Sequence, residues 1–498
     1  MPSRARTALL VVHALPPAEN TGAPLAAHGY ARTLGNAGWR VTVVSASPTA
    51  PPWPHARRCD DPSESFFRLA VPPDVGMGSS WLEAWAVPRT ATGDPRVDTG
   101  PHVARMLDRL RPDLVHIIDN VSLPLCIPEV AHEKGIPVIR SVSCAEDLCA
   151  LVVPISPCSG HAGYCEPPLT VEHCGRCVSE VTPDHVLGRF GGACGASVGT
   201  PRHAELRAML AAQRARAAHQ FHSVYDRVLF ASEQFRSYFE QTLPLDPLRT
   251  RVVPMGVDIA GPAPIPPIPP IPPIPPIPPI PPIPPSPRPG AGPRTFLVAG
   301  NTHAAKGTHA IVAAFTHPEL ASRDDWRLLL AGGGDRGMYG PLLTDPRVED
   351  RGPYLPDELA ALCDAAAVGI SASVFETFHR VTREYLARGL PVVGSMAFGI
   401  SDVVVDKRNG LLFDHADSGG LRRAIVRLLD DRTLLAQLAA GARASTIRSV
   451  ADEVATLESI YEEVIRTRAR RRWQAAATGA TSPFGVQGGF PGERPQAS

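Results

Sequence analysis

Short, nearly continuous apolar runs alternate with longer segments of helical spacing from residue 7 to residue 258. The runs are T-A-L-L-V-V-H over residues 7–13, V-T-V-V-S from Val41, L-V-H-I-I from Leu114, P-V-I-R-S-V from Pro137 and V-L-F-A-S from Val228, with a helical segment over residues 25–37. Strands that are apolar at successive positions have both faces covered, which is the pattern of a parallel sheet with helices on either side. Residues 294–448 repeat it, with T-F-L-V-A-G from Thr295, R-L-L-L-A-G from Arg327, V-G-I-S-A-S from Val368 and P-V-V-G-S from Pro391. The pattern predicts an α/β protein of two Rossmann-like, doubly wound parallel-sheet domains.

Between the two patterned regions stand seven consecutive I-P-P triplets, Ile265 to Pro285, flanked by Pro262, Pro264, Pro287 and Pro289. Proline fixes φ and removes a donor, so the segment predicts neither helix nor strand but polyproline II, about 3.1 Å per residue and up to about 65 Å if straight. It reads as a spacer tolerated between domains, or as a docking segment for a partner with an aromatic-lined groove. The predicted organisation is an N-terminal domain over 1–258 with a Cys-rich insertion over about 144–194, a Pro-rich linker over 259–293, a C-terminal domain over 294–474, and a tail over 475–498. The Ala, Gly, Ser and Pro content of that tail predicts disorder.

Charge narrows the function classes. Forty-nine Lys and Arg balance forty-nine Asp and Glu over 498 residues, so no global field draws the chain onto nucleic acid. No stretch approaches 18 consecutive apolar residues, which argues against a membrane-spanning helix. Near the start, His13 interrupts the apolar run and no small-residue cleavage site follows, so residues 7–13 read as a buried first strand and not as a secretory signal. A cytoplasmic protein is expected. Arg466, Arg468, Arg470, Arg471, Arg472 and Trp473 form a local basic patch, read as a solvated helix end or as a peripheral contact with the anionic inner face of a membrane.

Ten cysteines in such a chain do not predict a disulfide framework. Cys174-x2-Cys177 is half of a zinc knuckle, and Cys165 with either Cys149 or Cys158 completes a tetrahedral thiolate set. With every position filled by protein, the zinc would be structural. An iron–sulfur cluster, or unligated thiols or disulfides, are the alternatives. Cys59, Cys126, Cys194 and Cys363 read as ordinary thiols. No redox or organic cofactor is expected.

Three motifs carry candidate chemistry in the second half. V-A-G-N-T-H-A-A-K-G-T, Val298 to Thr308, ends a strand at Gly300 and opens a helix beside Lys306 and Gly307, a combination of free N–H groups and positive charge that suits a phosphate. A-G-G-G-D, Ala331 to Asp335, allows close backbone approach or simply makes a tight turn. S-A-S-V-F-E-T-F-H-R-V-T-R-E-Y-L-A-R-G-L-P-V-V-G, Ser371 to Gly394, places Glu376 and Glu384 eight residues apart across a strand-to-helix junction. Were both helical they would lie about 12 Å apart on broadly one side, about the span from ribose to sugar in a nucleotide sugar.

The order of these pieces resembles the retaining GT-B glycosyltransferases of the family-four type, whose pattern is G-R-x4-K-G, a glycine turn, then S-x2-E-x-F-G-x4-E with G-x-P-V-V. The matching positions are Gly300, Lys306, Gly307, Gly332 to Gly334, Ser373, Glu376, Phe378, Glu384, Gly389, Pro391 and Val392, followed by N-G-L-L-F at Asn409 to Phe413. The N-terminal half is similar through Thr21-Gly22, G-W-R-V-T-V-V from Gly38, R-P-D-L-V-H from Arg111 and P-M-G-V-D from Pro254.

The resemblance implies a two-domain fold closing on a cleft and sugar transfer to an acceptor hydroxyl with retention, in polysaccharide, glycolipid or glycoconjugate synthesis. The donor would be a UDP- or GDP-sugar, and the acceptor a sugar, a lipid-linked sugar or a small molecule. Lys306 would hold the diphosphate, Glu384 the ribose and Glu376 the hydroxyls of the sugar, with Gly22 near the phosphates. The rest of the implied donor set is Gly300, Asn301, Gly307, Gly333, Phe378, His379 and Arg380, with Glu376 and Lys306 as the catalytic pair. Similar family members carry a Cys-rich insertion whose spacing favours Cys149, so the implied metal ligands are Cys149, Cys165, Cys174 and Cys177. The chain departs from the pattern at Asn301, where the family has arginine and where His303 or Arg380 would have to substitute. It departs again at Ser143-Cys144, where the family has His-Asp, and at His379, where glycine is usual. These departures keep two other readings open, a non-catalytic sugar-nucleotide-binding scaffold and a sugar-nucleotide epimerase of the same fold.

Overall fold

The structure, a computed structural model, describes residues 5–16, 22–46, 57–59, 65–71, 100–119, 123, 126–149, 154, 164–180, 201–257 and 292–477. The I-P-P triplets, Cys158, Cys194 and most of the tail lie outside the described residues.

Two sheets organise the chain. The first is eight-stranded, in the order β3-β4-β2-β1-β5-β6-β7-β8. Its strands are β1 (Thr7–Val11), β2 (Arg40–Ala46), β3 (Arg57–Cys59), β4 (Phe67–Val71), β5 (Leu114–Ile117), β6 (Val138–Val142), β7 (Arg227–Phe230) and β8 (Thr250–Val252). All pair in parallel except β3, which runs antiparallel to β4 at the edge. The second sheet is six-stranded and wholly parallel, in the order β11-β10-β9-β12-β13-β14. It comprises β9 (Arg294–Ala299), β10 (Trp326–Ala331), β11 (Val348–Gly352), β12 (Val368–Ser371), β13 (Val392–Ser395) and β14 (Gly410–Phe413).

Each apolar run named from sequence is one of the central strands. Ala8, Leu9, Leu10, Val11 and Val12 are wholly buried because β1 lies mid-sheet with cover on both faces. Burial at this level is worth about 1.5–3 kcal/mol for each large aliphatic side chain. The run at 7–13 is therefore a core strand, as its composition implied.

The helices used below are α1 (Gly22–Asn36), α2 (Val171–Glu180), α3 (Pro201–His219), α4 (Glu233–Glu240), α5 (Thr308–Thr316), α6 (Arg380–Ala387) and α7 (Val450–Ala477). α7 corrects the expected division of the chain. Its apolar stripe, Val450, Val454, Leu457, Ile460, Tyr461 and Val464, packs into the core of the first domain with β1, β2 and α1. By packing it belongs there, although chain order placed it in 294–474, and its regular turns run past 474 to Ala477. The chain thus leaves the first domain beyond 253–257 and returns to it at 446–450. The two crossings lie side by side, with Val257 N–H donating to Arg448 O at 3.0 Å. Gly256 is needed at this crossing, since a Cβ would lie 2.1 Å from Ser449 O.

The basic patch ends α7. Arg466 pairs with Glu462 at 3.0 Å, and Arg468 is buried against His132 and Asp226, while Arg470, Arg471 and Trp473 are exposed. Because Asp226 immediately precedes β7, this end of α7 lies at the N-terminal edge of the first sheet, away from the strand ends that carry the site. No helix among the described residues is long and apolar enough to cross a membrane.

Candidate functional site

In open parallel sheets ligands bind beyond the carboxyl ends of the strands. In the second domain those ends carry the sequence motifs. β9 stops at Ala299 and Gly300 follows with φ +120°. Gly332, after β10, lies so close to this turn that a Cβ would come within 1.8 Å of Gly300 O. Asn301 is exposed, with its Oδ1 3.3 Å from where a Gly333 side chain would begin. Lys306 closes a short turn from Ala304, and Gly307, at φ +72°, turns the chain into α5. Its missing side chain is required, as a Cβ would sit 1.8 Å from Ala372 O just past β12.

That close approach brings Lys306 to the turn after β12. Its Nζ donates to Glu376 Oε1, and Ser373 Oγ donates to the same carboxylate at 2.9 Å. His379 Nε2 stands 3.9 Å from Glu376 Oε1. Burial raises the Glu376 carboxyl, but Lys306, His379 and Ser373 outweigh it and bring the group down to about 2. Glu376 is therefore ionised at any physiological pH. His379 is pushed down to about 4, chiefly by burial, and is neutral. It adopts the left-handed conformation, φ 51°, at a position where the resembled pattern has glycine. Its Nδ1 accepts from Thr382 N–H at 3.2 Å, capping α6, so the ring proton sits on Nε2, the nitrogen that faces Glu376.

The two glutamates do flank a strand-to-helix junction, so the spacing of a shared helix does not apply to them. Glu376 precedes α6, which begins at Arg380, and only Glu384 is helical. Arg380 donates to Glu384 at 2.6 Å, so this guanidinium is tied to the carboxylate implied to hold a ribose and is no simple replacement for the missing arginine at 301. Phe378 also lies elsewhere than implied. Its ring packs on Val257 at the domain crossing and on Ala231 just past β7, with the Arg383 guanidinium 3.8 Å from its centroid.

Two supporting residues had no signal in the sequence. His415 Nε2–H and Ser395 Oγ both donate to Ser373 O, at 2.7 and 2.6 Å, fixing the start of the Glu376 turn from β13 and the segment after β14.

Facing this turn are the strand ends of the first domain. Gly22 opens α1, and nothing within 4 Å obstructs its missing side chain. His13, after β1, is held twice by Asp119, through its backbone N–H at 2.9 Å and its Nδ1 at 2.8 Å. Ser143 and Cys144 follow β6, and the Cys144 thiol donates to Glu146. Glu146 and Asp147 share the fully buried Arg140. Burial and Asp147 push the Glu146 carboxyl up, against Arg140.

The cysteine candidates do converge. Cys149, Cys165, Cys174 and Cys177 are all buried in one core cluster, and Tyr238 Oη donates to Cys165 O at 2.8 Å. By type the donors suit zinc. Among the described residues no group of three or more His, Cys, Asp or Glu is arranged to hold a metal. Burial pushes the Cys174 thiol up even with Arg214 3.5 Å away.

The described Glycosyl transferase 4-like domain family matches residues 21–256, and the family described as Glycosyl transferases group 1 matches residues 293–431. The D-inositol 3-phosphate glycosyltransferase of Xylanimonas cellulosilytica is 32% identical over 192 residues, 35% of this chain and 43% of that protein. The N-acetyl-alpha-D-glucosaminyl L-malate synthase of Bacillus anthracis is 29% identical over 171 residues, 33% of this chain and 44% of that protein. The matched stretches thus span less than half the length of these curated relatives. Among solved structures, sucrose-phosphate synthase from Thermosynechococcus elongatus aligns over 95% of this chain and 100% of its own, with a TM-score of 0.54 at 17% identity. Anabaena HepE in complex with UDP and glucose aligns over 92% of this chain and 100% of its own, with a TM-score of 0.55 at 16% identity. At these identities the likeness is one of fold.

Proposed function

The chain belongs to the group 1 glycosyl transferases, with two parallel-sheet domains of the GT-B type, and from that premise we propose that it transfers a sugar from a nucleotide-sugar donor to an acceptor hydroxyl with retention of configuration. The observation that carries this reading is the meeting of Lys306, Glu376 and His379 at the strand ends of the second domain, opposite the strand ends of the first.

The proposed chemistry follows from that cluster. A diphosphate competes with Glu376 for the Lys306 ammonium, and the released carboxylate, ionised throughout, accepts from hydroxyls of the sugar. Glu384 accepts from the ribose. The bond from the anomeric carbon to the diphosphate oxygen breaks, with its electron pair leaving on the nucleoside diphosphate. The acceptor oxygen bonds to that carbon from the same face, and its proton passes to the departing phosphate. Positioned charge stabilises the leaving group and the cationic centre, and no protein nucleophile is needed. The neutral His379 Nε2–H supplies a further donor beside Glu376. That Anabaena HepE was crystallised with UDP, and with UDP-glucose, favours UDP as the first nucleotide to try.

The test is a thermal-shift series with UDP, GDP, ADP and dTDP on the wild type, Lys306→Ala and Glu384→Ala. A ligand at 100 times its Kd adds about 2.7 kcal/mol, a rise of several degrees in melting temperature. One nucleotide is expected to stabilise the wild type and neither variant. No shift with any of the four would refute the donor site. Release of nucleoside diphosphate only when an acceptor is present separates transfer from an epimerase, and its absence despite binding would leave a scaffold.

A further inference from the structure

The turn that carries Glu376 is anchored at its start by its own domain. Ser373 O accepts from Ser395 and His415, and Val374 N–H donates to Ala305 O at 2.8 Å. On either side of Glu376 the anchors change domain. Phe375, 5% exposed, is part of the core cluster of the first domain. Its ring lies 5.5 Å from Tyr238, 5.8 Å from Tyr164 and 6.1 Å from Phe235, with Phe398 of its own domain closing the group at 5.7 Å. Thr377 Oγ1 donates to Ser143 O at 2.6 Å, just past β6. Phe378 then packs on Val257 at the crossing and on Ala231 just past β7.

Tyr164 and Tyr238 link this dock to the cysteines. Tyr164 immediately precedes Cys165, and Tyr238 Oη holds the Cys165 carbonyl. Tyr164 reaches Phe398 as well, at 5.4 Å. Both aromatic edges that grip the Glu376 turn are therefore fixed by the Cys-rich segment of the other domain.

We propose that Phe375 and Thr377 are positioning residues, which place the Glu376 carboxylate by docking its turn onto the first domain, and that the Cys-rich segment serves as the receiving surface of that dock. The turn carrying Glu376 is thus held from both domains, and the placement of the carboxylate depends on the first domain as well as on its own. The inference rests on the transfer reading above for its kinetic arm, and on geometry alone for its structural arm.

The experiment compares wild type with Phe375→Ala, Phe375→Leu, Thr377→Val and, from the other side of the dock, Tyr164→Ala. Tyr164 is 37% exposed, so its loss leaves the core intact. The structural readout is amide hydrogen exchange over 373–378 and 143–149, which needs no substrate. Exchange is expected to quicken in both stretches in Phe375→Ala, Thr377→Val and Tyr164→Ala, and to stay near wild type in Phe375→Leu. The kinetic readout is donor turnover, where displacement of a reacting group predicts a fall in kcat of about tenfold to 100-fold for Phe375→Ala and Tyr164→Ala. UDP and GDP affinity, set by Lys306 and Glu384, is expected to change less than about twofold, and Phe375→Leu to recover most of kcat. Unchanged exchange over 373–378 in Tyr164→Ala would overturn the proposal, as would a wild-type kcat in that variant. A wild type that turns over no donor would instead refute the transfer reading, and the exchange data alone would then decide the dock.

Discussion

Glu453 offers a quantitative test of how the two domain crossings are held. It lies on α7, 3% exposed, with Tyr30 Oη donating to Oε1 and Gly256 N–H donating to Oε2 at 2.7 Å. Burial raises its pKa from the ordinary 4.5 to about 7, against the pull of those two donors and of Arg448 and Arg380. The sign of the effect on stability follows from proton uptake. Below pH 4.5 the carboxyl is protonated in both folded and unfolded chains, and its burial carries no ionisation penalty. Between pH 4.5 and about 7 the unfolded chain releases the proton while the folded chain keeps it, so stability falls as pH rises and levels off above 7. At 1.36 kcal/mol per pH unit the total is about 3 kcal/mol. Glu453→Gln keeps the shape and both contacts, since its carbonyl can accept from Gly256 N–H and its amide can donate to Tyr30 Oη. The assay is urea or thermal unfolding of both proteins at half-unit steps from pH 4.5 to 8. The two are expected to match within about 1 kcal/mol near pH 4.5, with the variant gaining about 3 kcal/mol relative to wild type by pH 8. Parallel pH profiles for the two proteins would refute the reasoning, because they would mean that Glu453 ionises in the fold as freely as in water.

Other substitutions test the second domain and the cysteines. Gly307→Ala places a Cβ 1.8 Å from Ala372 O at a positive φ, and is expected to destabilise by about 2–4 kcal/mol and to weaken nucleotide binding, read by melting temperature and titration. Lys306→Met removes the cation paired with Glu376, so the Glu376 carboxyl should rise from about 2, and nucleoside diphosphate affinity should fall at least about tenfold by calorimetry. The zinc reading predicts close to one zinc per chain in protein purified without chelator, lost in Cys174→Ser. Metal-free protein of unchanged stability would leave the four thiols as packing around Tyr238.

The amino-acid sequence by itself determined the central strands. Runs such as Leu9 to Val12 and Leu328 to Leu330 are apolar at every position because both faces of a central parallel strand are covered, and that local signal needs no knowledge of partners. The K-G and S-x2-E turns were legible only together, through the order they share with the resembled family, since each alone is compatible with an ordinary turn. Edge strands such as the three-residue β8 and the largely unburied β11 were not legible, having little burial to impose a pattern. Tertiary structure alone decided destinations. The stripe on α7 announces a buried face but not that the face returns to the first domain. Phe375 and Phe378 are two apolar residues three apart, yet one enters the core of the first domain and the other seals the crossing. The motif announced a helix beginning between Glu376 and Glu384, but not that His379 would cap it in a left-handed conformation. The physical reason is common to all of these cases. Periodicity reports whether a side chain is removed from water, while its neighbour there is chosen by the packing of segments hundreds of residues apart.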